Sequence, residues 1–157
     1  MSKLIVILKG KKGEGKTTIL SNYIRHSSHQ WGGVLTPIIN GKRCMVHLFS
    51  QQIIEIEADP NQPEDFLPVG RYIFSKMAFE TMNQLIIKDL RYNPNVIIDE
   101  VGPLELDGKG FDSILNEVFE TAESIFVVVR DALVEDVKKR YRLDRWEVEE
   151  ITVSELG

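Results

Sequence analysis

Residues 4–17 read Leu4-Ile5-Val6-Ile7-Leu8-Lys9-Gly10-Lys11-Lys12-Gly13-Glu14-Gly15-Lys16-Thr17, an apolar run that closes in a full match to the pattern GxxxxGK(S/T). A buried strand that ends in a glycine-rich turn and restarts as a helix aims a row of backbone N–H groups, and the positive end of the helix dipole, at one point. Polyphosphate is the ligand such a point favours. Glycine at positions 10, 13 and 15 permits backbone angles and close approach that a Cβ would obstruct, leaving the amides of residues 13–18 to cradle phosphate. Lys16 is placed to reach the β- and γ-oxygens as a point charge, and Thr17 to put its hydroxyl on a bridging Mg²⁺. The expected phosphate-binding set is therefore Gly10, Lys11, Lys12, Gly13, Glu14, Gly15, Lys16, Thr17 and Thr18. Within it, Lys11 and Lys12 have two readings: added positive potential at the loop mouth, or ordinary solvated lysines.

Outward from the loop, apolar residues at Ile19, Leu20, Tyr23 and Ile24 predict a helix from Thr17 to about His26 that lays one face on a sheet. Val34 to Ile39, the turn pair Asn40-Gly41, a strand from about Arg43 to Phe49 and another over 53–57 predict an antiparallel meander. Three prolines within 58–68 predict a loop, and 69–74 a return to strand. A helix follows from Ser75, a candidate N-cap, to about Arg91. Helices near 111–121 and 133–140 then alternate with apolar strands near 96–98 and 125–129 and a final strand near 146–153. Strands without polar alternation are buried on both faces, so the chain is an α/β protein. Its central sheet is mostly parallel and flanked by helices, with an antiparallel hairpin insertion near 34–57.

Val96-Ile97-Ile98 runs into Asp99-Glu100, about eighty residues beyond the loop. Mg²⁺ and a polyphosphate need a carboxylate on the far side of the metal. Asp99, at the end of a buried strand, is the candidate ligand beside Thr17. Glu100 is the candidate group that polarises an attacking water, which makes Glu100 and Lys16 the candidate catalytic pair. Alone, such a strand end is a solvated acidic pair; the loop upstream favours the functional reading. Glu105 is read as added charge near the site or as a surface residue. Arg43, Arg71, Arg140, Arg142 and Arg145 are candidates for a cation that stabilises charge in phosphoryl transfer.

The chain of 157 residues, 43% hydrophobic and 27% charged, is expected to be one domain, 1–157. Nineteen basic against twenty-four acidic side chains leave a net charge of -5, which argues against nucleic acid or an anionic membrane as partner. The single cysteine, Cys44, has no disulfide partner in the chain. With no membrane-spanning run and no signal-peptide pattern, a cytoplasmic protein is expected. His26, His29 and His47 show no metal spacing, and Trp31 and Trp146 are read as packing residues. The absence of an NKxD-type tetrapeptide and of an LSGGQ-type signature argues against signalling GTPases of the usual kind and transporter ATPases.

Several segments together resemble one family, the small P-loop nucleoside triphosphatases known as cancer-related nucleoside-triphosphatases and thermostable nucleotide phosphatases. They are the phosphate loop, Gly33-Val34-Leu35-Thr36-Pro37, Gly41-Lys42-Arg43, Val69-Gly70-Arg71-Tyr72 with Ala78-Phe79-Glu80, Leu133-Val134-Glu135-Asp136-Val137 and, most specifically, Ile98-Asp99-Glu100-Val101-Gly102-Pro103-Leu104-Glu105-Leu106. The chain departs from that family's pattern at Lys11-Lys12 and at Asn40, and no Asn-Arg pair and closing helix follow before Gly157. The resemblance implies the P-loop NTPase fold and Mg²⁺-dependent hydrolysis of a nucleoside triphosphate (ATP or GTP) to the diphosphate and phosphate, slow and loosely base-selective. Lys16, Thr17, Asp99 and Glu100 would carry it. Two other readings stay open: a small-molecule kinase whose acceptor pocket is formed by the hairpin and the proline-rich loop, and a non-catalytic nucleotide-binding adaptor.

Overall fold

The computed structural model describes residues 3–11, 13 and 15–156. Strand β1 (Leu4–Gly10) leads through the loop into helix α1 (Lys16–His26). The chain continues with β2 (Gly32–Leu35), β3 (Ile38–Ile39), β4 (Lys42–His47) and β5 (Ile53–Glu55), then β6 (Phe66–Val69) and β7 (Tyr72–Ser75). Helix α2 (Lys76–Asp89), β8 (Asn95–Ile98), α3 (Pro103–Leu106), α4 (Asp112–Thr121) and β9 (Ser124–Arg130) follow, and α5 (Val134–Arg140), β10 (Glu147–Thr152) and α6 (Val153–Leu156) complete the fold.

Among the described residues eight strands form one sheet, in the order β10-β1-β9-β8-β2-β4-β3 with β5 on β4. The first five of that order are mutually parallel. The register sets Gly10 of β1 beside Arg130 of β9, and Ile98 of β8 beside Val34 of β2 and Val127 of β9. The residues that follow β1, β2 and β8, and the last residue of β9, therefore meet at one edge, where ligands of open α/β sheets bind.

β1 shows why its sequence lacks alternation: Ile5 and Ile7 enter one core while Val6 and Leu8 enter another. The larger core lies under α2, α4 and α5, with Met82, Ile86, Leu115, Val118 and Val137 all buried. The smaller holds Leu20 of α1, Trp31 and Phe126, with Val153 and Leu156 of α6 packed against it. Trp31 is a packing residue, edge-on to Phe126 at 5.6 Å. His47 is equally internal, its Nε2 2.8 Å from Asp89 Oδ2.

The antiparallel meander is present and stays hydrogen-bonded to the parallel sheet. Asn40 and Gly41 both have positive φ, 52° and 78°, as a two-residue hairpin turn requires. The predicted strand 34–39 is divided at Pro37: β2 pairs in parallel with β8 on one side and antiparallel with β4 on the other, while β3 pairs with β4 across the Asn40-Gly41 turn. The loop expected over 58–68 is shorter and ends at Asp65, because β6 starts at Phe66 and pairs with β7 through Pro68↔Ile73. Proline is tolerated there because β6 is the edge strand of the ribbon, β7 being bridged to Glu57 on its other side. Ser75 caps α2, accepting the Ala78 N–H at 3.1 Å. Gly102-Pro103 starts the short helix α3, since proline suits a first helical turn. No helix among the described residues is long and apolar enough to cross a membrane.

Candidate active site

β1 delivers the chain to the loop at Gly10, and α1 takes over at Lys16. Gly13 and Gly15 sit at φ 83° and 78°, angles that L side chains rarely adopt, so glycine is required for the loop to wrap. Lys12 and Glu14 lie outside the described residues. Lys16 is 6% exposed, and its Nζ donates to the Lys11 carbonyl at 2.7 Å. That bond holds the ammonium over the loop, at the positive end of α1. Thr18 lines the same cleft.

Thr17 Oγ1 donates to Asp99 Oδ2 at 2.7 Å, and the Thr36 N–H donates to the same oxygen at 3.1 Å. One carboxylate thus ties together α1, the end of β2 and the end of β8. Asp99 is 1% exposed, and burial pushes its carboxyl above the usual range against those two hydrogen bonds. A hydroxyl and a carboxylate side by side form a hard oxygen donor pair that suits Mg²⁺ held largely by phosphate and water. Among the described residues no three His, Cys, Asp or Glu side chains gather, so such a cation would need oxygens from the ligand itself.

Glu100 is adjacent. Burial raises its carboxyl, Arg130 opposes that shift, and the neighbouring Asp99 charge adds to it. Arg130 Nε stands 3.4 Å from Glu100 Oε1. Arg130 is not among the arginines that the sequence singles out. The missed signal is positional: Arg130 ends the apolar run 125–129 as Asp99 follows the run 96–98, and parallel neighbours end at the same edge. Arg43 and Arg71 also line the cleft. Arg140 instead holds Asp112 at 3.0 and 3.1 Å, and Arg145 holds Glu120 at 2.8 Å. Neither of these, nor Arg142, lines the cleft.

Glu105 is not a surface residue. It is 3% exposed, and it accepts the Gly102 N–H at 2.8 Å and the Phe111 N–H at 2.9 Å, closing the turn that carries Glu100 into α3 and α4. Burial lifts its carboxyl to about 7, against the pull of those two N–H groups. Gly110, at φ 64°, makes room: a Cβ there would stand 2.1 Å from Glu105 Oε2.

These groups face a cleft of about 720 Å³, within the range of small-molecule sites. One half is polar, with Lys16, Thr17, Asp99, Glu100 and Arg130. The other is walled by Tyr72, Phe74, Phe79 and Phe111, from β7, α2 and the approach to α4.

The chain is similar along most of its length to the nucleoside-triphosphatases THEP1 of Methanothermobacter thermautotrophicus, at 24% identity over 86% of this chain and 81% of that one, and of Pyrococcus abyssi, at 28% over 86% and 76%. The crystal structure of THEP1 from Aquifex aeolicus superposes with a TM-score of 0.69 over 94% of this chain and 90% of that one, at 18% identity, a likeness of fold. A sequence family described as NTPase matches residues 5–155. Since that match runs from the start of β1 into α6 and takes in every element that builds the cleft, the chain belongs to this NTPase family, the small P-loop nucleoside triphosphatases.

Proposed function

We propose that this cleft hydrolyses nucleoside triphosphates to the diphosphate and phosphate, with Mg²⁺. The observation that carries the reading is the 2.7 Å hydrogen bond from Thr17 to Asp99, which joins the phosphate loop to the strand end that presents Glu100. The amides of the loop and the N-terminus of α1 hold the α- and β-phosphates, and Lys16 exchanges the Lys11 carbonyl for β- and γ-oxygens. Bound between Thr17 and Asp99, Mg²⁺ would neutralise charge on those oxygens. Glu100 orients a water in line with the γ-phosphorus and accepts its proton. The water oxygen bonds to phosphorus, the β–γ bridging P–O bond breaks, and the diphosphate leaves with the bridging oxygen. A carboxyl raised by burial is a better base near neutral pH than an exposed one.

Arg130 supplies the stabilising cation. It holds Glu100 in place before substrate binds and faces the γ-oxygens once the triphosphate is seated, so it acts in cis. A buried, unpaired Cys44 supports a reducing, cytoplasmic setting. The test is phosphate release from ATP, GTP, CTP and UTP with and without Mg²⁺, run beside Lys16→Ala and Glu100→Gln. Mg²⁺-dependent release is expected, lost in both variants, with nucleotide affinity retained in Glu100→Gln. Release no greater than that of Lys16→Ala would sink the hydrolase reading and leave a nucleotide-binding adaptor.

A further inference from the structure

The aromatic half of the cleft has no work in that mechanism. A phosphate loop fixes the direction of its nucleotide: Lys16 takes the β- and γ-oxygens and the helix start takes the α- and β-phosphates, so the γ-phosphate ends at Asp99 and Glu100. The sugar and base leave by the opposite end. Yet the same cleft is also lined by Gly102 to Leu104 and by the aromatic wall.

The wall is continuous. Tyr72 and Phe74 stack at 5.7 Å with 20° between rings, Phe74 meets Phe79 at 6.3 Å, and Phe79 meets Phe111 edge-on at 5.1 Å. At its rim stand two guanidinium groups, Arg43 at 5.8 Å and Arg71 at 5.2 Å from the Tyr72 ring centroid. Arg71 also donates to Tyr72 Oη at 3.1 Å. Among the described residues neither guanidinium has a carboxylate within ion-pair distance. Arg43 is also close enough to act on the charges of both Asp99 and Glu100, which sets it between the two halves. Two arginines with no ion pair among the described residues, beside an aromatic floor and in a chain of net charge -5, are placed for an anion that carries a flat ring.

Resting on the reading of the loop as the triphosphate site, we propose that this chamber binds a second ligand, a nucleoside 5′-monophosphate. Its base lies on the Tyr72–Phe79 wall, and its phosphate lies between Arg43 and Arg71, turned toward the γ-phosphate. Seated there, it fills the space from which the water of hydrolysis approaches Glu100. Occupancy therefore lowers phosphate release without competing with the triphosphate.

The experiment titrates AMP, GMP, CMP and UMP into the full chain by calorimetry, with wild type, Arg71→Ala, Arg71→Lys and Lys16→Ala. At least one monophosphate is expected to bind, about tenfold or more weaker in Arg71→Ala as expected for loss of a charge-assisted contact, with partial recovery in Arg71→Lys. Affinity is expected to persist in Lys16→Ala, since the site is separate from the loop. Phosphate release should fall with the monophosphate while KM for the triphosphate stays constant. Three results overturn the proposal: no binding by any of the four, binding lost in Lys16→Ala, or binding indifferent to Arg71→Ala. Phosphate release without added monophosphate is measured in the same series, so failure of the hydrolase reading is seen separately.

Discussion

The two halves of the cleft are built in opposite ways. The polar half takes Asp99 and Glu100 from the end of β8, and Lys16 and Thr17 from the start of α1 one loop beyond β1, so the parallel sheet brings both pairs to one edge. The aromatic half takes Tyr72 and Phe74 from a two-stranded hairpin tied to residues 56–58, Phe79 from α2 and Phe111 from the turn before α4. The first is fixed by the sheet; the second exists only once three separate elements have packed. The polar half should therefore fail chemically when a residue is removed, and the aromatic half should fail thermodynamically.

Arg130→Ala is expected to give the largest effect. Cations in this position are worth on the order of 10³ to 10⁵ in rate for related phosphoryl transfers, so kcat should fall by about 10³-fold while nucleotide affinity changes far less. Phosphate release and equilibrium binding measured on the same preparation check it. Turnover within tenfold of wild type would end the polar half at Glu100 and move the stabilising cation to Arg43.

On the other side, Phe79→Ala removes a side chain that is 6% exposed and in ring contact with both Phe74 and Phe111. Loss of a buried phenyl ring costs about 3 to 4 kcal/mol, read as a shift of the denaturant midpoint at constant slope. A loss under about 1 kcal/mol would mean the wall is not packed as a unit and would dissolve the contrast between the halves.

What was legible follows the same division. Gly10 to Thr17, the Asn40-Gly41 turn and the Ser75 cap are local devices whose chemistry is complete within a few residues. Asp99 was legible because an apolar strand with no alternation announces its own buried end. Arg130 occupies the equivalent place on β9, yet a single basic residue after a strand carries no local mark; only the register that sets Gly10 beside Arg130 gives it meaning. Glu105 was unreadable for a related reason. Three residues after Gly102 it looks like helix surface, and its burial depends on Gly110 leaving space for its carboxylate. Strand β6 was hidden by Pro68, whose missing N–H counts against a strand until β6 is known to be an edge.

Glu105 joins the two halves, since its carboxylate holds Gly102 on one side and Phe111 on the other. Its folded value of about 7 lies above the ordinary 4.5 because burial disfavours the charged form. A carboxyl raised in the folded state contributes stability that is fully present below about pH 4.5 and lost as pH rises through about 7. The full displacement corresponds to roughly 3 kcal/mol. Urea titrations across pH 5 to 8 should show wild-type stability declining by an amount of that order, and Glu105→Gln should flatten the profile. An unchanged profile in the variant would assign the slope to another group.

The smallest effect is expected furthest from both halves. Arg145 belongs to the basic late segment that its charge alone would nominate for phosphate, but its guanidinium lies 4.1 Å from the Trp146 ring centroid and pairs with Glu120. Partly exposed pairs and cation–ring contacts of this kind are worth about 1 kcal/mol at most. Arg145→Gln should therefore lower stability by no more than that and leave kcat and KM within about twofold of wild type. A larger loss of turnover would show that the late segment reaches the phosphates in solution. The distinction between cations placed by strand ends and cations placed by surface pairs would then fail where it is easiest to test.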